Sequence, residues 1–245
     1  MNNTTKYLTD RNKQVKKNWQ DADLQMANRI MTDNLIRTNY IKNFTWLGRP
    51  VLQYPPDLMV MQELIWQLKP DFIVETGVAF GGSTVFFASM LELIGGLGQV
   101  IAVDIDVKPE NHAEINKYNF SHRIKLIQAD STNFKTIKHI NELIMIGKTV
   151  MVMLDSNHTE EHVLRELELY SPMVTVGSYL IVNDTSIEQW DERYPSPDRP
   201  WSKGNNPMTA VDKFMNQTDQ FTYYYLAETR ALITGSPNGW LKRIK

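Results

Sequence analysis

From Asp57 onward, the sequence alternates short apolar segments rich in β-branched residues with longer amphipathic segments. The short segments are typical of strands and the longer ones of helices. Strands are predicted at 72–75, 100–104, 124–128, 149–155 and 179–183, and helices at about 57–69, 83–94, 109–117, 132–146 and 159–170. Apolar strands separated by helices indicate a parallel sheet covered on both faces. The alternation therefore predicts a doubly wound α/β fold.

The two ends of the chain extend this alternating region. Residues 1–52 are mostly polar, with apolar side chains at helical spacing, which predicts an N-terminal helical extension or cap. Residues 221–226 and 231–234 are predicted as two strands, joined by 227–230 as a hairpin at the end of the sheet. The sequence thus predicts one catalytic domain over 53–245.

One segment within that domain, 186–207, is polar and rich in Pro and Asp. Asn206-Pro207 marks the start of a short helix after it. We expect the segment to form a mobile lid, because loops of this kind carry binding functions. Its aromatic residues Trp190, Tyr194 and Trp201 either stack on a sugar or aromatic ring or pack the lid closed.

Charge and cysteine content narrow the function classes. A formal net charge of −2 gives no basic footprint for nucleic acid. The chain has no Cys, which excludes disulfides, thiolate metal sites and cysteine nucleophiles, and fits a cytoplasmic protein. The N-terminus has no signal-peptide pattern, and no run of roughly 18 apolar residues predicts a membrane span.

A glycine-rich turn, Glu75-Thr-Gly-Val-Ala-Phe-Gly-Gly-Ser83, lies between a predicted buried strand and a helix. Glycine at such a turn lets the backbone approach a ligand closely. The spacing differs from the dinucleotide G-x-G-x-x-G motif, and no Lys-Ser/Thr ends it as in a P-loop, so a nicotinamide cofactor or ATP is disfavoured. Packing alone can also explain such glycines. The residues predicted to bind a cofactor here are Glu75, Thr76, Gly77, Gly81, Gly82 and Ser83.

Polar residues at the ends of the next strands identify the ligand. Asp104 closes the second strand, where a carboxylate can accept both ribose hydroxyls of an adenosine, and Ile105 follows it. Asp130 and Ser131 end the third strand, where they can bond the adenine edge; the alternative for Asp130 is a helix cap. A pocket of carboxylates and dipoles favours a cationic sulfonium, which predicts S-adenosylmethionine.

A second acidic group follows the last two parallel strands. Asp155 ends one strand, and Asn183 and Asp184 end the next. Adjacent strand ends converge at the ligand crevice, so these three oxygen ligands predict a site for Mg²⁺ or another hard divalent cation. Asp155 is thus predicted to bind the cation, to contribute to the cofactor pocket and to act in catalysis. A cation there would lower the pKa of an acceptor hydroxyl and orient it.

Two histidines follow Asp155. His158 is predicted as the general base that takes the proton from the acceptor hydroxyl. His162, one helical turn later, is the weaker candidate. In the alternative interpretation, Ser156 or Asn157 caps the helix and both histidines face solvent.

These motifs together resemble the cephalosporin hydroxylase-like family of S-adenosylmethionine-binding proteins, which is related to sugar and macrolide O-methyltransferases. Besides the glycine-rich turn, the resemblance is carried by Val103-Asp-Ile-Asp106, Leu154-Asp-Ser-Asn-His158, Gly177-Ser-Tyr-Leu-Ile-Val-Asn-Asp-Thr185 and Asn206-Pro207 before Ala210-Val211. It implies a class I, Rossmann-like methyltransferase fold with a mostly parallel seven-stranded sheet. It also implies the methionine end of the cofactor at the glycine turn, ribose at Asp104, and Mg²⁺ at Asp155 and Asp184.

One position departs from the family pattern. The residue before the last aspartate is usually Glu in the family, whereas this chain has Asn183. A neutral ligand weakens the local negative charge, although the related catechol O-methyltransferases also combine carboxylates with one asparagine. Despite the word hydroxylase, no two-His-one-carboxylate iron motif is present.

The leading hypothesis is a metal-assisted O-methyltransferase that acts on a hydroxyl of a sugar, glycan or glycosylated small molecule. The alternative is a non-catalytic S-adenosylmethionine-binding scaffold of the same fold. A hydrolase is disfavoured because no G-x-S-x-G elbow is present. Assembly into a homo-oligomer through the N-terminal helices stays open.

Overall fold

A seven-stranded sheet forms the centre of the computed structural model, which describes residues 3–190 and 198–245. The described strands are β1 (Thr45–Trp46), β2 (Arg49–Pro50), β3 (Phe72–Thr76), β4 (Gln99–Asp104), β5 (Ile124–Gln128), β6 (Val150–Leu154), β7 (Tyr179–Val182), β8 (Phe221–Tyr223) and β9 (Trp240–Arg243). The described α-helices are α1 (Asn3–Gln20), α2 (Ala22–Arg37), α3 (Pro55–Leu68), α4 (Gly82–Ile94), α5 (Pro109–Ile115), α6 (Phe134–Leu143), α7 (Glu160–Tyr170), α8 (Pro207–Gln217) and α9 (Tyr225–Ala231).

The sheet order is β5-β4-β3-β6-β7-β9-β8. The first five of these strands pair in parallel, and β9 pairs antiparallel with both β7 and β8. The predicted mostly parallel seven-stranded α/β fold is confirmed.

Two apolar clusters cover the two faces of the sheet. In β3, Ile73 packs into one cluster with α3, α4 and α9, whereas its neighbour Val74 packs into the other with α6, α7 and α8. Successive side chains of a strand point to opposite faces, so a strand that is apolar at every position is buried on both. The continuous apolar strands therefore place the ends of β3 and β6 at the centre of the molecule.

The predicted C-terminal hairpin over 221–226 and 231–234 is wrong. β8 ends at Tyr223, residues 225–231 form the helix α9, and the last strand is β9. The aromatic run after Phe221 resembles a strand, but Ala227 and Ala231 lie four residues apart and are buried in the cluster that includes α3. This tertiary packing outweighs the local strand preference.

Three further differences concern local structure. Helix α6 is shorter than the predicted 132–146, and its cap is Asn133, whose side chain accepts from the backbone N–H of Lys135, so the alternative of Asp130 as the cap is wrong. Residues 45–50, which lie within the predicted N-terminal helical extension, form the short hairpin β1-β2. The predicted lid falls partly outside the described residues, and Tyr194 lies outside them.

The predicted N-terminal helices are present as α1 and α2, and neither contains a fully buried residue. No helix among the described residues is long and apolar enough to cross a membrane.

Candidate active site at the switch point of the sheet

The site lies where the order of the parallel strands reverses. β3 lies between β4 and β6 in the sheet, and a crevice opens beyond the carboxyl ends of these three strands. Gly77 follows β3 with φ of +84° and donates its N–H to Val103 O at 2.8 Å. Asp155 follows β6 and donates its N–H to Thr76 O at 2.9 Å. The glycine turn and the first metal candidate therefore meet side by side.

The carboxylate of Asp104 shapes the glycine turn. One oxygen accepts from the backbone N–H groups of Val78 at 2.7 Å and Ala79 at 3.1 Å, and the other accepts from the N–H of Asp106 at 2.9 Å. Ala79 has a positive φ of 46°, an uncommon conformation for a residue with a β-carbon. Asp104 therefore organises the turn from behind as well as lining the crevice.

A cavity of about 300 Å³ lies beside this turn. Its lining residues are Gly77, Ala79, Val103, Asp104, Ile105, Asp130, Ser131, Asp155, Ser156, Asn157, His162 and Trp201. Six of the predicted cofactor residues are thus brought together: Gly77, Asp104, Ile105, Asp130, Ser131 and Asp155. Their individual roles stay predictions.

Other predicted cofactor residues lie elsewhere. Gly82 and Ser83 line a second, adjoining cavity, whereas Glu75, Thr76 and Gly81 are not among the residues that line either cavity. A β-carbon at position 82 would lie 2.1 Å from Pro50 O, so glycine at this position makes room for the backbone at Pro50.

Glu75 is buried behind the turn. Its carboxylate accepts hydrogen bonds from the hydroxyls of Ser83 and Thr84. Burial raises the pKa of Glu75 to about 7, although these two hydrogen bonds oppose the rise. The structure thus gives Glu75 and Ser83 mutual contacts that hold the start of α4.

Asp130 forms a tight turn with Thr132, whose backbone N–H and hydroxyl both donate to Oδ1 at 2.8 Å. These hydrogen bonds lower the pKa of Asp130, so it is a carboxylate at neutral pH. The next residue, Ser131, is buried, and its carbonyl accepts from the Tyr170 hydroxyl at 2.9 Å. The predicted adenine edge is therefore a fixed polar loop.

The second cavity has a volume of about 420 Å³ and shares Gly77, Ala79, Asp155, Ser156 and Trp201 with the first. Apolar, aromatic and basic side chains also line it: Ile41, Lys42, Leu52, Phe80, Ile187, Trp190 and Arg199. Two neighbouring cavities that meet at one carboxylate can hold two reactants against each other.

Asp155, His158 and Asp184 converge in the second cavity. One ligand atom from each lies within 4.8 Å of the others, and His158 Nε2 is 3.3 Å from Asp184 Oδ2. Asp184 has a positive φ of 56°, a left-handed conformation that Asp adopts more readily than most residues with a β-carbon. The predicted base and two predicted metal ligands are thus brought into one cluster.

Two amides hold the carboxylate of Asp155. Gln53 Nε2 and Asn183 Nδ2 each donate to Asp155 Oδ2 at 3.0 Å. The oxygen of Asn183 in turn accepts from Ser236 Oγ at 2.9 Å. Asn183 therefore presents its nitrogen, and not its oxygen, to Asp155, while its role as a metal ligand stays a prediction.

The electrostatics of the cluster suit a cation. Removal from water and the neighbouring carboxylate of Asp184 raise the pKa of Asp155 well above its ordinary value, although the Asn183 hydrogen bond opposes the rise. The two carboxylates offer oxygen donors that divalent cations accept, and a positive ion would relieve the repulsion between the acids. The residues present fit the predicted metal.

Trp201 lines both cavities. Its ring lies edge-on to His158 with 4.7 Å between ring centroids, and the guanidinium of Arg199 sits 4.9 Å from the Trp201 ring centroid. His158 is thereby held between an aromatic ring and the carboxylate of Asp184.

Sequence reasoning missed some of these residues. Gln53 is the first residue of the predicted catalytic domain, and no local pattern connects it to Asp155. His162 was considered only as a weaker base, yet it lines the first cavity and bonds Ser131 and Ser156. The spacing of Glu166, one turn beyond His162, is the signal that could have indicated a pair.

Comparison with known proteins agrees with this geometry. The sequence profile of the family described as Rhamnosyl O-methyltransferase/CmcI matches residues 38–244. A rhamnosyl O-methyltransferase from Mycobacterium leprae (strain TN) is 33% identical over 152 residues, which cover 61% of this chain and 64% of that protein. Its counterpart from Mycobacterium tuberculosis (strain ATCC 25618 / H37Rv) is 28% identical over 205 residues, covering 81% of this chain and 78% of that protein.

Solved structures share the fold. A CmcI structure with Mg and SAM superposes with a TM-score of 0.58 at 21% identity, covering 83% of this chain and 78% of that one. An O-methyltransferase from Bacillus cereus in complex with SAH gives a TM-score of 0.51 at 12% identity, covering 80% and 81%. With its profile match, its sheet order and the cavity at its glycine turn, this chain belongs to the Rhamnosyl O-methyltransferase/CmcI family and has the class I methyltransferase fold.

Proposed function

We propose that this protein is an S-adenosylmethionine-dependent O-methyltransferase, assisted by a divalent cation, that methylates a sugar hydroxyl. The observation that carries the proposal is the meeting of two cavities at Asp155, one lined by Asp104 and Asp130 and the other by His158. The sugar class follows from the relatives, which are named as rhamnosyl O-methyltransferases. A rhamnose residue is therefore the first acceptor to test.

The first cavity is assigned to the cofactor, which supplies the methyl group when bound. Asp104 would accept the ribose hydroxyls while it holds the turn through Val78 and Ala79. Asp130 and Ser131 would face the adenine. Gly77 would face the methionine end, because its lack of a side chain lets this turn pack against Asp155 at the edge of the cavity.

The second cavity is assigned to the acceptor. A divalent cation at Asp155 and Asp184 would supply positive charge that lowers the pKa of an acceptor hydroxyl. His158 would take the proton of that hydroxyl on the ring nitrogen that does not face Asp184, and Asp184 and Trp201 hold the imidazole in place. By orienting the acceptor hydroxyl towards the methyl group, these residues would supply much of the rate acceleration.

Three side chains suit the body of the sugar. Trp190 and Trp201 offer apolar faces on which a sugar ring can stack, and Lys42 lies at the same cavity.

The decisive experiment measures S-adenosylhomocysteine production with Mg²⁺ and a panel of rhamnosides, nucleotide sugars and oligosaccharides. We expect turnover with at least one sugar acceptor, loss of turnover with a chelator, and loss in Asp155→Asn, with the exposed Asp106→Asn as matched control. Cofactor binding without turnover across the panel would instead favour the scaffold alternative.

Two further parts of the proposal concern the whole molecule. The exposed apolar residues Met26, Ile30 and Met31 on α2 suit packing against a second copy, and a sizing measurement tests the homo-oligomer. The absence of Cys fits the cytoplasmic location that we propose, and cell fractionation tests it.

A further inference from the structure

A second group of polar side chains lies at the adenine end of the first cavity. His162 Nε2 is 3.2 Å from Ser131 Oγ, 3.0 Å from Ser156 Oγ and 3.5 Å from Glu166 Oε1. Ser156 Oγ also donates to Glu166 Oε1 at 2.7 Å. These four side chains form one connected network, and the mechanism proposed above does not use His162 or Glu166.

Glu166 is the buried member of the network. Its side chain is 0% exposed, and its second oxygen, Oε2, has no hydrogen-bond partner among the described residues. A buried carboxylate is costly unless a positive charge or hydrogen bonds compensate it. His162, one helical turn earlier on α7, is the group positioned to provide that charge.

His162 also faces the ligand space. It lines the first cavity with its side chain 25% exposed, together with Asp104 and Asp130. Among the described residues that line this cavity, His162 is the one side chain that can carry a positive charge. An adenine base presents an amine donor and several ring-nitrogen acceptors. The carboxylate of Asp130 suits the amine, which leaves the ring nitrogens in need of a donor.

We infer that His162, held by Glu166, donates a hydrogen bond to a ring nitrogen of the cofactor's adenine and so selects that base. The inference rests on the proposed cofactor site. Glu166 acts here as a positioning residue, because it contacts His162 and Ser156 and does not line the cavity.

The charges around His162 support a donor role. Burial lowers the pKa of His162, but the hydrogen bond and charge of Glu166 and the charge of Asp130 outweigh burial, so its pKa is raised overall. Glu166 lies on the same helix, and Asp130 lies on the loop after β5. The negative charges of Glu166 and Asp130 extend the pH range over which the two ring nitrogens of His162 each carry a proton.

Calorimetry with cofactor-product analogues tests the inference without any acceptor. S-adenosylhomocysteine and its 1-deaza, 3-deaza and 7-deaza forms, each lacking one ring-nitrogen acceptor, are titrated into the wild-type protein. We expect one of the three to bind about tenfold more weakly than the parent, as for loss of a charge-assisted hydrogen bond, and the others within about twofold. In His162→Phe, the parent and that one analogue should bind alike.

Two further variants separate recognition from structure. Glu166→Gln preserves the shape of the buried side chain and should reduce the discrimination, whereas the exposed His139→Phe should leave it unchanged. Equal binding of all analogues by the wild-type protein, or an equal loss for all ligands in His162→Phe, would overturn the inference alone. Failure of the wild-type protein to bind S-adenosylhomocysteine at all would overturn the cofactor site as well.

Discussion

Gly77 and Asp155 are packed backbone to backbone at the centre of the crevice: a β-carbon at position 77 would lie 2.0 Å from Asp155 O. The contact joins the end of β3 to the end of β6, and hence the proposed cofactor turn to the proposed metal ligand. Neither backbone can move without disturbing the central sheet. We therefore expect a substitution that alters one cavity to alter the other as well.

Gly77→Ala should therefore destabilise the protein by about 2 kcal/mol or more and abolish S-adenosylhomocysteine binding, because the added carbon both overlaps Asp155 and strains a φ of +84°. Denaturant unfolding and calorimetry measure the two effects. Gly48→Ala is the matched control, since Gly48 has φ of +87° but nothing within 4 Å of the added carbon. Equal effects in the two variants would show that backbone strain alone, and not the contact, matters.

The outline of this fold could be predicted because each central strand is apolar at almost every position and each is followed by a turn residue. For the same reason, Asp104 and Asp155 could be assigned to one edge of the sheet before the structure was known. Gln53 could not, because it is 102 positions from Asp155 and only the folded path after β2 brings its amide to that carboxylate.

The errors arose where tertiary packing decides the local structure. Residues 225–231 contain aromatic residues that favour a strand, yet burial of Ala227 and Ala231 makes them the helix α9. Asn183 stays a predicted metal ligand, but its position in the sequence could not reveal that Ser236 fixes which end of its amide faces Asp155. Side-chain orientation of this kind depends on partners that are distant in sequence.

Asp155→Asn should weaken Mn²⁺ binding by about tenfold or more, because it removes one of the two carboxylates in the cluster with His158 and Asp184. Mn²⁺ serves as the probe because its binding can be followed by electron paramagnetic resonance. The exposed Asp106→Asn should leave the Mn²⁺ affinity unchanged. An unaltered affinity in Asp155→Asn would remove Asp155 from the metal site.

Asn183→Asp should have opposite effects with and without a cation. The new carboxylate can still accept from Ser236, but it would replace the N–H that now donates to Asp155 Oδ2 at 3.0 Å with a like charge. We therefore expect lower stability of the metal-free protein at neutral pH and tighter Mn²⁺ binding. Unfolding with and without Mn²⁺ measures both; reduced Mn²⁺ affinity in this variant would contradict the expectation.

Asp57 should make the free energy of unfolding depend on pH. This carboxyl is fully buried; its Oδ2 accepts from the N–H of Gly235 at 2.8 Å, and hydrogen bonds from Gly235 and Thr234 only partly offset the cost of burial. Burial raises the pKa of Asp57 from 3.8 to about 7. Over that range the folded protein keeps a proton that the unfolded chain has lost, so the free energy of unfolding should fall as pH rises from about 4 to about 7.

Asp57→Asn tests this assignment, because the amide oxygen can still accept from Gly235 but the side chain cannot ionise. Urea unfolding across the same pH range, with a chelator present, should show a shallower fall in the variant than in the wild-type protein. A residual slope is expected from Glu75, whose pKa burial raises to about 7 in the same direction. The exposed Asp106→Asn should keep the wild-type slope. If Asp57→Asn also keeps it, Asp57 is ionised in the folded protein throughout this range and the buried acid is compensated by its surroundings.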